Sequence, residues 1–287
     1  MEHDKLMERY NDDIIRLRRE FPRHPELSFE ETETTRRIAS VLDEWGIPYQ
    51  INEEKHTGLV ARISGAHPGK AVALRADIDA LPVTEKTGLP FASEVPGRMH
   101  ACGHDNHIAM LLGAARMLLD IRDQIYGDVY LVFQPAEEAG KGAVYMKKFG
   151  DWFAKIGAIF GAHIWSSVPA GTVAIRTGPF MAAADKFTIR IHGVQSHGSQ
   201  PWSGVDAIVV GSAIVTNLQS IVSRQLYAID PVVVTVGKFQ GGDRWNIESG
   251  EAVLEGTTRY FRREIGPELK ERMERIVEET AKAYGAT

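Results

Sequence analysis

Residues 129–138 read VYLVFQPAEE and join a continuous apolar run to two adjacent carboxylates. A continuous apolar run is typical of a strand in a sheet that is covered on both faces, whereas a strand with one exposed face alternates apolar and polar residues. Residues 156–162 (IGAIFGA) have the same character, and two shorter apolar runs, Leu59–Ile63 and Ala71–Ala76, also predict strands. These runs indicate a buried β-sheet in the first part of the chain.

Helical patterns lie between these strands. Residues 3–20 predict an amphipathic surface helix that ends at Phe21, before a proline. A second helix is expected from Glu30 to Trp45. Residues 105–120 carry one apolar stripe, and Asp105 is placed to cap the start of that helix. Strands that alternate with helices predict an α/β fold over the first 180 or so residues.

The pattern changes after Ala184. An alternating strand is followed by a helix (Val205–Val222), two strands (Val232–Phe239 and Ala252–Tyr260) and a charged helix (residues 267–284). The order β-α-β-β-α matches a split βαβ unit without its last strand. We therefore predict two domains, residues 1–183 and residues 184–287.

Composition narrows the classes of function. The 287 residues are 44% hydrophobic and 25% charged, with 33 basic against 38 acidic side chains. Neither a clustered basic face nor an apolar segment of about 20 residues stands out, which argues against nucleic-acid and membrane partners. The single cysteine excludes an internal disulfide, and the charged N-terminus is unlike a secretory signal. We expect a cytoplasmic protein that acts on a small molecule.

Polar side chains follow each predicted strand of the first domain. Asp77 and Asp79 come after one strand, Glu137 and Glu138 after the next, and His163 after the third. In open α/β sheets, sites form where strands end at their carboxyl edge. We therefore expect these groups, which are distant in sequence, to meet along one edge.

Residues 100–107 (HACGHDNH) form a loop that opens into the helix starting near residue 105. Cys102 and His104 are separated by one glycine and can turn both donor atoms toward one ion. With Glu138 and His163 they make a ligand set expected for zinc or manganese. Taken singly, a lone cysteine is more typical of a small buried side chain, but four ligand types at strand and helix ends favour a metal site.

The adjacent carboxylates suit hydrolysis. One member of such a pair can bind an ion while its neighbour acts as general base for an activated water. Glu138 and Glu137 fit these roles respectively, although the pattern by itself leaves their order open.

Five ordered motifs carry a resemblance to a known family; they are residues 24–31 (HPELSFEE), 74–82 (LRADIDALP), 99–105 (MHACGHD), 133–138 (FQPAEE) and 196–201 (SHGSQP). With them the sequence resembles the metal-dependent amidohydrolases that act on N-acyl-amino acids, hippurate and indoleacetyl-amino acids, within the zinc-peptidase superfamily. The resemblance implies a zinc-peptidase-like α/β catalytic domain, with a central mixed sheet flanked by helices. It also implies an inserted ferredoxin-like α+β lid that serves as a dimerisation surface.

The resemblance further implies a site for two divalent metal ions, manganese or zinc. Its ligands would be Cys102, His104, Glu138 and His163. Glu137 would deprotonate the water and then protonate the leaving amine, which settles the order of the two glutamates. Asp77 would orient and polarise the groups at the metals.

Three residues of the second domain match lid positions of the family. His197 matches a histidine that helps to hold the oxyanion of the tetrahedral intermediate, which needs hydrogen-bond donors beyond the metals. Asn246 and Arg259 resemble substrate-contacting residues, and the fork of an arginine suits a carboxylate.

The family has a fifth ligand, a histidine near its C-terminus, and this sequence has no residue after Thr287 to take that role. We therefore expect a C-terminally truncated chain that lacks the last lid strand and the final part of the catalytic domain. Such a chain is expected to hold one of the two ions poorly and to have little or no activity.

The leading functional hypothesis is hydrolysis of the amide bond of an N-acyl-amino acid. One alternative is a dipeptidase or aminopeptidase on the same scaffold; the Cys102–His104 stretch favours the amidohydrolase branch. A second is a hydrolase in which Cys102 is the nucleophile and His104 its base, which leaves both glutamates and His163 unexplained. A third is an inactive dimerisation protein.

Overall fold

The computed structural model describes the backbone of residues 2–287 and the side chains from Asp4 onward. The chain divides into two compact units, Met1–Thr172 and Val173–Thr287. The sequence pattern predicts the domain boundary slightly later, between residues 183 and 184, one residue after the first strand of the second unit begins at Ala183. The division into a catalytic domain and a lid domain stays a prediction.

The first unit is built around a five-stranded mixed sheet with the order β1-β2-β4-β3-β5. Its strands are β1 (Tyr49–Ile51), β2 (Leu59–Ser64), β3 (Ala71–Asp77), β4 (Asp128–Gln134) and β5 (Ile156–Gly161). β4 pairs antiparallel with β2 and parallel with β3, and β5 pairs parallel with β3. The carboxyl ends of β3, β4 and β5 therefore lie at one edge of the sheet, as the sequence predicts.

Helices cover both faces of this sheet. They are α1 (Glu2–Glu20), α2 (Thr32–Glu44), α3 (His104–Asp120), α4 (Gly142–Lys148) and α5 (Trp152–Lys155). Leu131 and Phe133 of β4 point into the main core, which contains the apolar stripes of α2 and α3. Tyr130 and Val132 point into a smaller core with Met146 and Trp152. β4 is thus buried on both faces, which explains its continuous apolar sequence.

The expectation that β5 is covered on both faces is wrong. Ile159 and Phe160 are 46% and 60% exposed. The physical reason is position: β5 is an edge strand of the sheet, and its one strand partner in the part of the chain that the structure describes is β3. An apolar run alone does not distinguish a central strand from an edge strand.

The expectation that Asp105 caps α3 is also wrong. Gly103 takes the N-cap position with a φ of 80°, and no side chain caps the helix there. Asp105 lies inside the first turn, and its Oδ2 is 3.1 Å from Nε of Arg18 on α1. The carboxylate therefore links α3 to α1. Its negative charge also interacts favourably with the helix dipole at the N-terminus of α3.

The second unit contains a three-stranded antiparallel sheet with the order β6-β10-β8, and a two-stranded sheet of β7 and β9. Its elements are β6 (Ala183–His192), β7 (Ser196–His197), α6 (Ala207–Ser220), β8 (Val232–Gly241), β9 (Ile247–Glu248), β10 (Glu251–Tyr260) and α7 (Ile265–Ala283). α6 and α7 bury their apolar residues with the sheet in one core that includes Ile191, Ile214, Leu254 and Leu269. This is the α+β arrangement predicted for the second half of the sequence.

One helical stretch, Ala207–Gln225, is long and apolar enough by length and composition to cross a membrane, whereas the composition predicts no such segment. Within it, Val210, Ile214 and Leu218 are buried in the core of the second unit. The core helix of a globular protein passes the same test, so this stretch is weak evidence for a membrane span.

Candidate active site

The predicted ligands of the first unit come together at the carboxyl edge of the sheet. Sγ of Cys102 lies 3.6 Å from Nε2 of His163, and Nε2 of His104 lies 4.0 Å from Oε1 of Glu138. Ligand atoms of Cys102, His104 and His163 all lie within 4.8 Å of one another, and so do those of His104, Glu137 and Glu138. His104 is common to both groups and stands at the centre of the cluster.

The ring of His104 is oriented for binding a cation. Its Nδ1 lies 2.8 Å from the backbone carbonyl oxygen of Asp79, so in the neutral ring Nδ1–H donates and Nε2 keeps a lone pair. Nε2 is buried and has no hydrogen-bond partner. A buried imidazole nitrogen without a partner, close to a thiol and a carboxylate, fits a divalent metal ion and the usual anchoring of a ligating histidine by a carbonyl.

Asp79 links two predicted ligands, although the sequence pattern placed it only at a strand end. Its Oδ2 accepts hydrogen bonds from the Ser28 hydroxyl at 2.7 Å and from the backbone N–H of Glu138 at 3.0 Å. Its Oδ1 lies 3.2 Å from Nδ1 of His104. The alternation of side chains in an extended segment puts Asp77 and Asp79 on one side, and that spacing is the signal that could have identified Asp79.

Asp77, which we predicted to orient the site, binds a second histidine that the sequence pattern missed. Oδ1 of Asp77 lies 2.5 Å from Nδ1 of His107. Nε2 of His107 accepts the backbone N–H of Ile164 at 3.0 Å. Because a backbone N–H only donates, the proton of this imidazole is on Nδ1, directed at Asp77. His107 therefore ties β3 to the residue that follows His163.

Asp77 also pairs with Arg75, whose guanidinium lies 2.7 Å from Oδ2. Burial raises the pKa of Asp77, but the hydrogen bond from His107 and the charge of Arg75 outweigh burial and hold that pKa well below its usual range. Asp77 is therefore a carboxylate at neutral pH, and Oδ2 lies 3.6 Å from Nε2 of His104. A fixed negative charge at this point favours a cation in the cluster.

We expect a His107→Ala variant to bind Mn²⁺ about 10- to 100-fold more weakly, the range typical for loss of a group that orients a metal ligand. The variant removes the acceptor of the Ile164 N–H, and without that hydrogen bond the neighbouring His163 is held less firmly. Titration calorimetry with Mn²⁺ measures the change. His67→Ala is the matched control, because it removes an exposed imidazole stacked on Tyr126. Equal affinities of the two variants would contradict this role of His107.

The environment of Cys102 does not favour a reactive thiolate. Burial and the nearby carboxylates, Glu138 and Glu137 among them, raise the pKa of the Cys102 thiol to about 12. A nucleophilic cysteine needs a lowered pKa. A bound cation deprotonates a coordinating thiol, so the position suits a ligand better than a nucleophile.

Glu137 lies on the exposed side of the cluster, directly after the buried Ala136. Partial burial of its carboxylate, together with the charges of Asp77 and Glu138, raises the pKa of Glu137. A raised pKa brings a carboxylate closer to the range in which a general base works at neutral pH. Its accessible position leaves room for a water or substrate beside it.

Two of the three predicted residues of the second unit lie together. His197 is on β7, and Nδ1 of His197 accepts the backbone N–H of Ser199 at 3.2 Å. The neutral ring therefore carries its proton on Nε2, where it can donate to an anionic oxygen. Asn246 lies beside this segment, because its backbone carbonyl accepts the N–H of Gly198 at 2.9 Å. The side-chain Oδ1 of Asn246 is buried and has no hydrogen-bond partner.

Arg259 is not brought to this pair within the second unit. It lies close to the end of β10, roughly 25 Å along the strand from Glu251 at its start. Its guanidinium donates to the carbonyl of Thr258 at 2.8 Å and to the Thr257 hydroxyl. The role of Arg259 in substrate binding stays a prediction.

The chain is similar to known proteins in sequence. A sequence model described as Peptidase family M20/M25/M40 matches residues 73–285. The chain is 45% identical over 271 residues to an N-acetyl-L-cysteine deacetylase of Bacillus subtilis, covering 94% of this chain and 65% of that protein. It is 40% identical over 283 residues to an N-acyl-L-amino acid amidohydrolase of Geobacillus stearothermophilus. That match covers 99% of this chain and 76% of the amidohydrolase.

A solved structure is similar along nearly the whole chain. The crystal structure of the YXEP protein of Bacillus subtilis, a dinuclear metal binding peptidase from the M20 family, matches with a TM-score of 0.81 and 38% identity. The match covers 98% of this chain and 72% of that one. The chain thus spans 65% to 76% of the length of these three proteins.

Proposed function

The chain belongs to peptidase family M20/M25/M40, and on that premise we propose that it hydrolyses the amide bond of N-acyl-amino acids. The family resemblance and the α/β fold class predicted from the sequence are confirmed. The observation that carries the proposal is the cluster around His104, in which a thiol, two imidazoles and two carboxylates converge. Names of relatives that act on N-acetylcysteine and N-acyl-L-amino acids support the substrate class.

We propose that Cys102, His104, Glu138 and His163 hold two divalent metal ions, zinc or manganese. When bound, such ions polarise a carbonyl and lower the pKa of water. The free lone pair of His104 and the carboxylate of Asp77 support this assignment. Asp79 orients His104 through Nδ1 and Glu138 through its backbone N–H.

We assign the proton transfers to Glu137. Its carboxylate accepts a proton from the attacking water and delivers it to the nitrogen of the leaving amine. We propose that His197 donates its Nε2–H to the oxyanion; the hydrogen bond that its Nδ1 accepts from the Ser199 N–H supports this tautomer. Asn246 and Arg259 are proposed substrate contacts; the unpartnered Oδ1 of Asn246 supports such a role.

Two further parts of the proposal, a small-molecule substrate and a homodimer joined through residues 184–287, are supported by the sequence resemblance. A cytoplasmic location, with no nucleic-acid or membrane partner, is supported by composition, charge and the single cysteine.

A matched substrate panel tests the proposed function. We expect the Mn²⁺-loaded chain to hydrolyse N-acetylmethionine with a kcat/KM at least about tenfold above that for alanylmethionine. The two substrates share the leaving amino acid; the dipeptide adds one carbon and a charged amine, and a site built for an acyl group leaves that amine unpaired. The chelated chain is the control. Turnover confined to dipeptides would contradict the proposal and favour a peptidase.

A further inference from the structure

The residue before the two catalytic-site glutamates has an unusual backbone. Ala136 has a φ of 51°, one of three positive values at non-glycine residues in the described chain. This left-handed conformation is unfavourable for any residue with a Cβ atom. Ala136 is fully buried, and it immediately precedes Glu137 and Glu138. A strained residue at such a point persists only where its surroundings enforce it.

A buried carboxylate from another part of the chain contacts this residue. Oε1 of Glu31 accepts the backbone N–H of Ala136 at 2.8 Å. Glu31 is completely buried, and its Oε2 has no hydrogen-bond partner. It lies at the N-cap of α2, yet its side chain does not cap that helix. Burying a carboxylate is unfavourable, and helix capping does not account for it here.

The other side of the same residue is also fixed. The carbonyl of Ala136 accepts the N–H of Gly142 at 3.0 Å. Gly142 has no space for a side chain, because a Cβ there would lie 1.6 Å from the carbonyl oxygen of Pro135. The backbone of Ala136 is therefore held on both sides, by Glu31 at its N–H and by the start of α4 at its carbonyl.

We propose that Glu31 is a positioning residue that keeps Ala136 left-handed and thereby aims Glu137 and Glu138 into the site. Without the acceptor, relaxation of Ala136 to the right-handed region changes its φ by roughly 110°. Such a rotation redirects the two residues that follow. The inference rests on the proposed function only for the roles of Glu137 and Glu138; the conformational link stands on the contacts themselves.

A matched pair of variants tests this link. Glu31→Gln and Glu31→Met both remove the charge and have similar volume, but only glutamine keeps an acceptor at the position of Oε1. Met replaces the buried carboxylate with an apolar side chain of similar size, which removes the cost of burying a charged group but leaves the buried N–H of Ala136 without an acceptor. Far-ultraviolet circular dichroism and thermal unfolding check that both variants fold.

We expect Glu31→Met to weaken Mn²⁺ binding about 10- to 100-fold in titration calorimetry, as loss of a group that orients metal ligands does. Glu31→Gln should keep the affinity of the unaltered chain. Adding Ala136→Gly to Glu31→Met should restore most of the affinity, because glycine takes the left-handed conformation readily. Ala136→Gly alone should leave the Mn²⁺ affinity unchanged. A purely structural role of Glu31 predicts no such rescue.

Amide hydrogen exchange of Ala136 in the metal-free chain gives a second readout that needs neither metal nor substrate. We expect a protected amide in the unaltered chain and in Glu31→Gln, and faster exchange in Glu31→Met. Failure of the amidohydrolase assignment would leave this result intact. Equal Mn²⁺ affinity and equal Ala136 protection in the Met and Gln variants would overturn the inference.

Discussion

A Glu137→Gln variant is expected to bind Mn²⁺ as the unaltered chain does and to lose about 100- to 10,000-fold in kcat, the range typical for removal of a general acid–base group. Glutamine has the shape of glutamate but cannot accept the proton of water. The raised pKa of Glu137, caused by burial and by Asp77 and Glu138, is what makes this carboxylate suitable for that transfer. Titration calorimetry and steady-state kinetics on N-acetylmethionine measure the two quantities.

Glu138→Gln is the matched control, because the same chemical change is made one residue later. Glu138 lies close to His104, and its backbone N–H is held by Asp79. We expect this variant to lose metal affinity as well as activity. If Glu137→Gln loses the metal while Glu138→Gln keeps it, the two roles are assigned in the wrong order.

A Cys102→Ala variant is expected to lose at least about 100-fold in Mn²⁺ affinity, more than the loss typical of a group that only orients a ligand. Its Sγ lies within 4.8 Å of the ligand atoms of His104 and His163, so the change removes one donor from the cluster. Cys102→Asp supplies a carboxylate oxygen at the same place, and we expect it to recover part of both affinity and activity.

The two Cys102 variants also distinguish a metal-ligand role of Cys102 from a role as nucleophile. A nucleophilic Cys102 predicts activity that survives exhaustive chelation and is lost in Cys102→Asp. The metal account predicts loss on chelation and partial activity in Cys102→Asp. The pKa of about 12 for the thiol favours the second outcome, because a protonated thiol is a poor nucleophile.

The sequence was sufficient to place the main groups of the site, and the reason is topological. Parallel strands end at the same edge, so polar residues that follow β3, β4 and β5 meet whatever their spacing along the chain. The loop at residues 100–107 opens α3 beside that edge. Periodicity and strand ends therefore predict that polar groups cluster around His104.

The residues that the sequence missed act through tertiary partners. In the sequence His107 is one of several histidines close together, and its role depends on the contacts of its two nitrogens with Asp77 and with the backbone of Ile164. Glu31 lies 105 positions from the amide that it binds, and no local pattern reveals such a bond. β5 was correctly predicted as a strand, but the expectation that it is covered on both faces is wrong for a related reason, since burial of a strand depends on its place in the sheet order.

The most direct test of the account is the location of the metal. Crystals grown with Zn²⁺ and measured above the zinc absorption edge should show anomalous difference density at the carboxyl edge of the first sheet. We expect a peak about 2.0–2.1 Å from Nε2 of His104 and about 2.3 Å from Sγ of Cys102, with Glu138 and His163 among the ligands and Glu137 outside them. Fully occupied zinc elsewhere, with no peak at His104, would contradict the account.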